Sequence, residues 1–108
     1  MITKINKGNE GFTVKILSTA DLLFFDKKSP LVKTLLEAYR SETHDRKSQP
    51  IAIGGGTYAK SINNCIAFGG EFAGEDCHMH DANESLVIED FAKQVEIYVE
   101  AIKNLNEM

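Results

Sequence analysis

The sequence predicts an α/β fold in which a small mixed sheet carries two main helices. Three observations support this fold class: a capped amphipathic segment near residue 30, a longer amphipathic segment in the last 20 residues, and several short apolar runs between turn-like residues. Short apolar runs bounded by turns are typical of strands, and amphipathic helices bury one face against a sheet. Because strands come before each helix, the order favours helices packed on one sheet.

The first helix has a clear start signal. Ser29 can accept a hydrogen bond at the N-cap, and Pro30 suits the first helical position. The helix should end near Thr43 and His44, before a polar stretch at residues 45–49. Apolar side chains recur on one helical face, at Leu31, Val32, Leu35, Leu36 and Tyr39.

A longer amphipathic helix is predicted near residue 88. Glu89 and Asp90 lie in its first turn, where negative charge is favourable. We expect its apolar stripe to pack against the sheet, since core packing is commoner than the alternative, a partner helix. The apolar positions are Ile88, Phe91, Ala92, Val95, Tyr98, Val99, Ile102 and Leu105.

Strands are predicted at residues 12–17, 51–53 and 64–68, and residues 22–25 could be a strand or an extended linker. Residues 1–6 could pair with 12–17 as a hairpin. A short helical turn is expected from Tyr58 to Ser61.

Composition limits the function classes. The 108 residues include 43% hydrophobic and 26% charged residues, typical of one small soluble domain. The net charge of -4 argues against a nucleic-acid partner, and no apolar run approaches the roughly 20 residues that span a membrane. Two cysteines, Cys65 and Cys77, are too few for a disulfide scaffold, which favours a cytoplasmic protein.

A triple glycine, Gly54 to Gly56, follows a predicted strand and precedes Thr57. Glycines there allow close approach of a ligand, and exposed N–H groups can bind an anion such as a carboxylate. The pattern is neither a P-loop nor a dinucleotide fingerprint. Taken alone, three glycines after a strand are more often a tight turn.

Residues 76–84, Asp-Cys-His-Met-His-Asp-Ala-Asn-Glu, contain the usual zinc ligand types. They lack the spacing of a helical H-E-x-x-H site, and neither histidine has an evident triad partner. For His80 in isolation, a surface or loop-packing role is commoner than metal ligation. His78 is expected to be an ordinary loop residue, and Cys77 is equally compatible with a small buried group and a ligand.

Together these segments resemble the C-terminal end of the PepV-like (Xaa-His type) dipeptidases, dinuclear zinc hydrolases of the aminoacylase–carnosinase group. The resemblance extends from about residue 24 to residue 105. Its anchors, in order, are residues 29–36, 51–59, 66–69, 79–84 and 97–102. It implies that residues 1–25 are the tail of a lid domain with a linker, and that 26–108 are the C-terminal portion of a catalytic domain.

The resemblance also implies site residues. His80 falls on a zinc ligand of the family, and Glu84 would hold His80 in position. Gly55, Gly56 and Thr57 would line the pocket near the backbone or carboxylate of a dipeptide substrate. The parent enzyme would use two zinc ions and a glutamate base acting on a metal-bound water.

The remaining zinc ligands and the base lie upstream in the family, outside this sequence, so no catalytic residue is assigned here. We therefore expect a chain that is inactive alone and binds no zinc tightly, whether an excised fragment, a split gene product or the result of a misplaced start site. One alternative is a non-enzymatic subunit that self-associates or completes an upstream partner chain. Another is a stand-alone small-ligand or metal-binding domain using residues 78–84.

Overall fold

Regular structure in this chain is entirely helical. A computed structural model describes all 108 residues and contains α1 (Ile2–Gly8), α2 (Pro30–Thr43), a 3₁₀ turn (Tyr58–Ser61) and α3 (Ile88–Asn106). No residue belongs to a β-strand. The predicted α/β fold with a small mixed sheet is therefore wrong, although both main helices and the short turn are confirmed.

The ends of α2 follow the predicted signals. The Ser29 hydroxyl accepts a hydrogen bond from the Val32 amide at 3.4 Å, and Pro30 occupies the first turn. At the other end His44 adopts a left-handed conformation, with φ of 59°, and its amide donates to the Arg40 carbonyl at 2.9 Å. These bonds satisfy backbone groups that a helix terminus leaves unpaired.

The core is a contact between α2 and α3, the only two elements that pack against each other. Leu35 and Ala38 of α2 meet Ala101 of α3, and all three are buried. Partly buried apolar side chains surround them, at Leu31, Ile66, Phe68 and Leu105. Only 6 of the 108 residues are buried in the whole chain, so this core is small.

The face of α3 that packs is not the predicted one. Ile97 and Ala101 are the buried residues of α3, on the side opposite most of the apolar stripe, and Ala101 packs against Leu35 and Ala38 of α2. Val95 and Ile102 of the stripe remain 50% and 61% exposed. The expectation that this stripe packs against a sheet is therefore wrong, because no sheet exists and the helix turns most of the stripe outward. Tyr98 and Leu105 are the exceptions, since Tyr98 contacts Phe68 and Leu105 packs against the core.

The predicted strands lack partners. Backbone hydrogen bonds outside the helices are all local, and the longest-range one joins the Ser85 amide to the Cys77 carbonyl. A strand is stable only when a neighbouring strand satisfies its N–H and C=O groups. The predicted hairpin of residues 1–6 with 12–17 is replaced by α1, whose Asn6 side chain accepts a hydrogen bond from the Val14 amide at 2.8 Å.

The molecule is open and extended for its size. Its radius of gyration is 19.0 Å, whereas a compact chain of this length would have about 13 Å. The accessible surface is 9123 Å², against roughly 6,000 Å² for a compact protein of this mass. Large apolar side chains outside the helices are consequently exposed, including Leu17, Leu22 and Ile51. No helix has both the length and the hydropathy needed to cross a membrane.

Candidate functional site

The segment that leads into the histidine loop is held between α2 and α3 by aromatic contacts. Phe68 meets Tyr98 of α3 edge-on, with ring centroids 6.1 Å apart. Phe72 meets Tyr39 of α2 at 6.3 Å in a tilted arrangement. Between these rings lies a cavity of about 50 Å³, too small for a dipeptide. This cavity is therefore part of the packing that positions the loop.

Two glycines make that packing possible. Gly69 and Gly70 have φ of +98° and +96°, a region that residues with a Cβ rarely adopt. A Cβ on Gly69 would overlap the hydroxyl of Tyr98 and lie 2.8 Å from its ring carbon Cζ. These glycines directly follow the predicted strand at residues 64–68, and sequence reasoning assigned them no role. Their adjacency after an apolar run was the available signal for a special backbone conformation.

Side-chain and backbone hydrogen bonds close the base of the histidine loop. The Cys77 amide donates to the Glu71 carboxylate at 2.6 Å, and the Ser85 amide donates to the Cys77 carbonyl at 3.0 Å. The Gln94 side-chain amide reaches across from α3 and donates to the Gly70 carbonyl. Hydrogen bonds thus hold both ends of the loop within the same small region, next to α3.

At the loop tip, both histidines adopt left-handed backbone conformations, with φ of 51° for His78 and 62° for His80. The His78 amide donates to Asp76 at 2.9 Å, and the His78 carbonyl accepts from the Asp81 amide at 2.9 Å. Both imidazoles are exposed. The backbone around His80 is therefore a succession of tight turns that present the side chain to solvent.

The structure does not pair His80 with Glu84, the residue predicted to hold it in position. No hydrogen bond joins His80 to Glu84, and Glu84 instead lines an open groove of about 520 Å³ with Glu71 and Cys77. Neither the groove nor the smaller cavity includes His80. The roles assigned to His80 and Glu84 by the resemblance remain predictions.

Residues 55–57 lie elsewhere and also line neither cavity. A Cβ on Gly55 would meet nothing within 4 Å, and one on Gly56 would come no closer than 3.9 Å to the Lys60 ammonium. Thr57 precedes the 3₁₀ turn, and its hydroxyl oxygen is buried without a hydrogen-bond partner. This hydroxyl is the only polar side-chain group of the predicted substrate-binding set, and it is buried and unsatisfied.

Carboxylates dominate the electrostatics of the loop. Partial burial, followed by the negative charges of Glu71 and Glu75, raises the pKa of the Cys77 thiol. At neutral pH Cys77 is therefore the thiol rather than the thiolate that metal binding or nucleophilic attack requires. A hydrogen bond to Asp90 on α3 is the main cause of a raised pKa at Glu75.

The donor set of this chain does not fit a zinc ion. A zinc site takes three or four protein ligands, yet no three His, Cys, Asp or Glu side chains lie together in an arrangement that could hold a metal. The stand-alone metal-binding interpretation of residues 78–84 gains no support from this geometry.

The chain has relatives among curated proteins, whereas no protein-family model and no solved structure matches it. It is 39% identical over 92 residues to a Staphylococcus epidermidis protein named "Putative dipeptidase", covering 85% of this chain and 19% of that protein. A Staphylococcus aureus (strain USA300) protein, also named "Putative dipeptidase", is 38% identical over 95 residues, which are 88% of this chain and 20% of the relative. The chain is therefore a dipeptidase-related sequence that spans about one fifth of the length of the curated relatives it matches.

Proposed function

We propose that this chain is the C-terminal portion of a PepV-like, zinc-dependent dipeptidase and that it does not hydrolyse dipeptides alone. The observation that carries the proposal is the 39% identity over 92 residues to a protein of which this match is only 19%. At least two zinc ligands and a base would have to come from the remaining sequence. No three potential ligands lie together in this chain, which agrees with a zinc site that is completed by residues from the remaining sequence.

In this proposal the histidine loop supplies one zinc ligand, His80, and zinc is bound only when the other donors converge on it. The exposure of the imidazole leaves both ring nitrogens accessible to such donors. Glu84 would orient His80 once the loop is covered. Gly55, Gly56 and Thr57 would line the pocket near the backbone or carboxylate of the dipeptide.

A chimera tests this assignment. The 92 residues of this chain that match the Staphylococcus epidermidis relative would replace the corresponding region of that protein, and zinc-dependent dipeptide hydrolysis would be measured beside the unmodified relative. We expect an active chimera, and we expect His80→Ala to lower its kcat/KM at least about 1,000-fold, since removing a ligand disrupts the metal that activates the attacking water.

His78→Ala is the matched control, because His78 is exposed and has the same left-handed backbone conformation in the same loop. It should retain activity within a few-fold of the parent chimera. Equal losses from both substitutions would contradict the specific role of His80. Hydrolysis by the isolated chain with added zinc would contradict its inactivity.

A second candidate is a non-enzymatic subunit that completes a separate upstream chain, and the extended segments favour it. Phe12, Leu17 and Leu22 are 76%, 94% and 85% exposed, and the backbone around them lacks strand partners. Such surface favours association. Mixing this chain with the Staphylococcus epidermidis relative truncated before the matching region should restore zinc-dependent activity, and the absence of binding would contradict this candidate.

A further inference from the structure

We propose that the outer stripe of α3 is a homodimer interface in which two copies of the helix pair in antiparallel orientation. The outer stripe is defined by five apolar residues, Ile88, Phe91, Val95, Val99 and Ile102. The proposal is independent of the dipeptidase assignment, because it uses none of the residues assigned to substrate or metal.

The outer stripe is continuous and uncovered. Its residues follow one another at intervals of three or four, so they lie on one face over four helical turns, roughly 21 Å. They are exposed by 81%, 58%, 50%, 47% and 61% in chain order. Soluble monomers rarely present an apolar patch of this extent, and such patches mark interaction sites.

Charges along one edge of the stripe favour a second copy as the occupant. Glu89, Glu96 and Lys103 recur every seven residues along that edge. In a parallel pair of helices the two copies of this edge would lie on opposite sides of the contact, so these charges would not meet one another. An antiparallel pair centred near Glu96 would instead place Glu89 opposite Lys103 of the partner subunit, and would do so twice by symmetry.

Glu96 is the residue that would face its own copy at the centre. Lys93 forms an ion pair with it one turn away on the same helix. This pair compensates the charge of Glu96, so the repulsion at the two-fold axis is reduced. The edge is consequently self-complementary in the antiparallel orientation alone.

The area that the outer stripe can bury sets the expected affinity of the dimer. Specific protein interfaces bury at least about 1,000 Å² in total. Five half-exposed to largely exposed side chains per copy place this contact near that lower limit. We therefore expect a reversible dimer with a micromolar dissociation constant.

Sedimentation velocity from low micromolar to several hundred micromolar chain tests the dimer. We expect the average mass to rise from monomer to dimer with concentration. Val95→Asp should raise the dissociation constant at least about tenfold, since it sets two carboxylates together at the centre of the apolar contact. Ile51→Asp is the matched control at an exposed apolar position outside the helices, and it should leave the dimer unchanged.

Charge reversal tests the orientation. Glu89→Lys and Lys103→Glu should each raise the dissociation constant about threefold, and the double variant should return it to the wild-type value. Each reversal also opposes the helix dipole, and the double variant carries both of these costs. Recovery in the double variant can therefore come only from the restored pairing between copies, provided that circular dichroism shows equal helicity.

Four results would overturn the proposal. A chain that stays monomeric throughout the concentration range has no such interface. A dimer that survives Val95→Asp uses another surface, and a dimer without recovery in the double variant is not antiparallel. If the outer stripe is protected from hydrogen exchange only when the truncated relative is added, its occupant is the upstream polypeptide and not a second copy.

Discussion

The α2–α3 pair and the segment from residue 50 to residue 86 differ in where their hydrogen bonds come from. The two helices satisfy their backbone groups internally, as 29 of the 42 backbone hydrogen bonds lie within regular elements. The intervening segment has one short 3₁₀ turn and a few local turns. It is tethered mainly through Phe68 and Phe72, whose rings contact α3 and α2.

This difference shows which parts of the sequence are self-sufficient. A helix needs only its own residues plus one apolar face, whereas a strand needs a neighbour that can be distant in sequence. The relatives contain about four times as much additional sequence. The helix pair thus forms from local information, whereas the segment between the helices has no comparable internal source of backbone hydrogen bonds.

Among the variants that test this difference between the two regions, Leu35→Ala should change the free energy of unfolding most. Leu35 is 7% exposed at the centre of the helix pair, so its truncation leaves a cavity and should lower the free energy of unfolding by about 2–4 kcal/mol. Urea unfolding followed by circular dichroism measures the change.

Leu22→Ala is the control for that experiment, because Leu22 is 85% exposed. It should change the free energy of unfolding by no more than about 0.5 kcal/mol. Similar losses from both variants would mean that the extended segment is as well packed as the helix pair, and the contrast between the two regions would disappear.

Gly69→Ala should have the next largest effect, at the point where the segment meets α3. The left-handed conformation costs alanine about 1–2 kcal/mol, and the new methyl group would also collide with Tyr98. Gly55→Ala meets no atom within 4 Å and should be neutral or slightly stabilising. Urea unfolding of the two variants would sharpen the comparison, and equal destabilisation would contradict the tether at Gly69.

The same contrast explains how much of the fold could be predicted. The signals at Ser29, Pro30 and His44 are local, and they placed both ends of α2 correctly. The apolar pattern of residues 64–68 predicted a strand, because such a pattern records burial but does not reveal whether a partner strand is present. The prediction for the apolar stripe of α3 was wrong for a related reason. Periodicity identifies an apolar face, but it does not determine what covers that face.

Prediction of the candidate site was limited in the same way. The sequence identified the chemical types in residues 76–84, but ligand geometry depends on donors brought together by tertiary structure. It missed Gly69 and Gly70, whose importance comes from the approach of Tyr98 and Gln94 across 24 or more residues. It also missed the contact of Glu75 with Asp90, since nothing in the local pattern of either residue indicates the other.

Glu75→Gln should have the smallest effect and the most distinctive pH dependence. The hydrogen bond to Asp90 raises the pKa of Glu75 in the folded chain above its unfolded value of about 4.3. The stability that Glu75 contributes is therefore present below about pH 4.3 and is lost as the pH rises through the folded pKa.

Glutamine can donate the same hydrogen bond without a second negative charge. The variant should match the wild type near pH 4 and be more stable at pH 7, as measured by urea midpoints. Glu84→Gln changes an exposed carboxylate of the same loop that makes no hydrogen bond, and it is the matched control. A lower midpoint for Glu75→Gln at pH 7 would mean that the Glu75–Asp90 contact does not join the loop to α3.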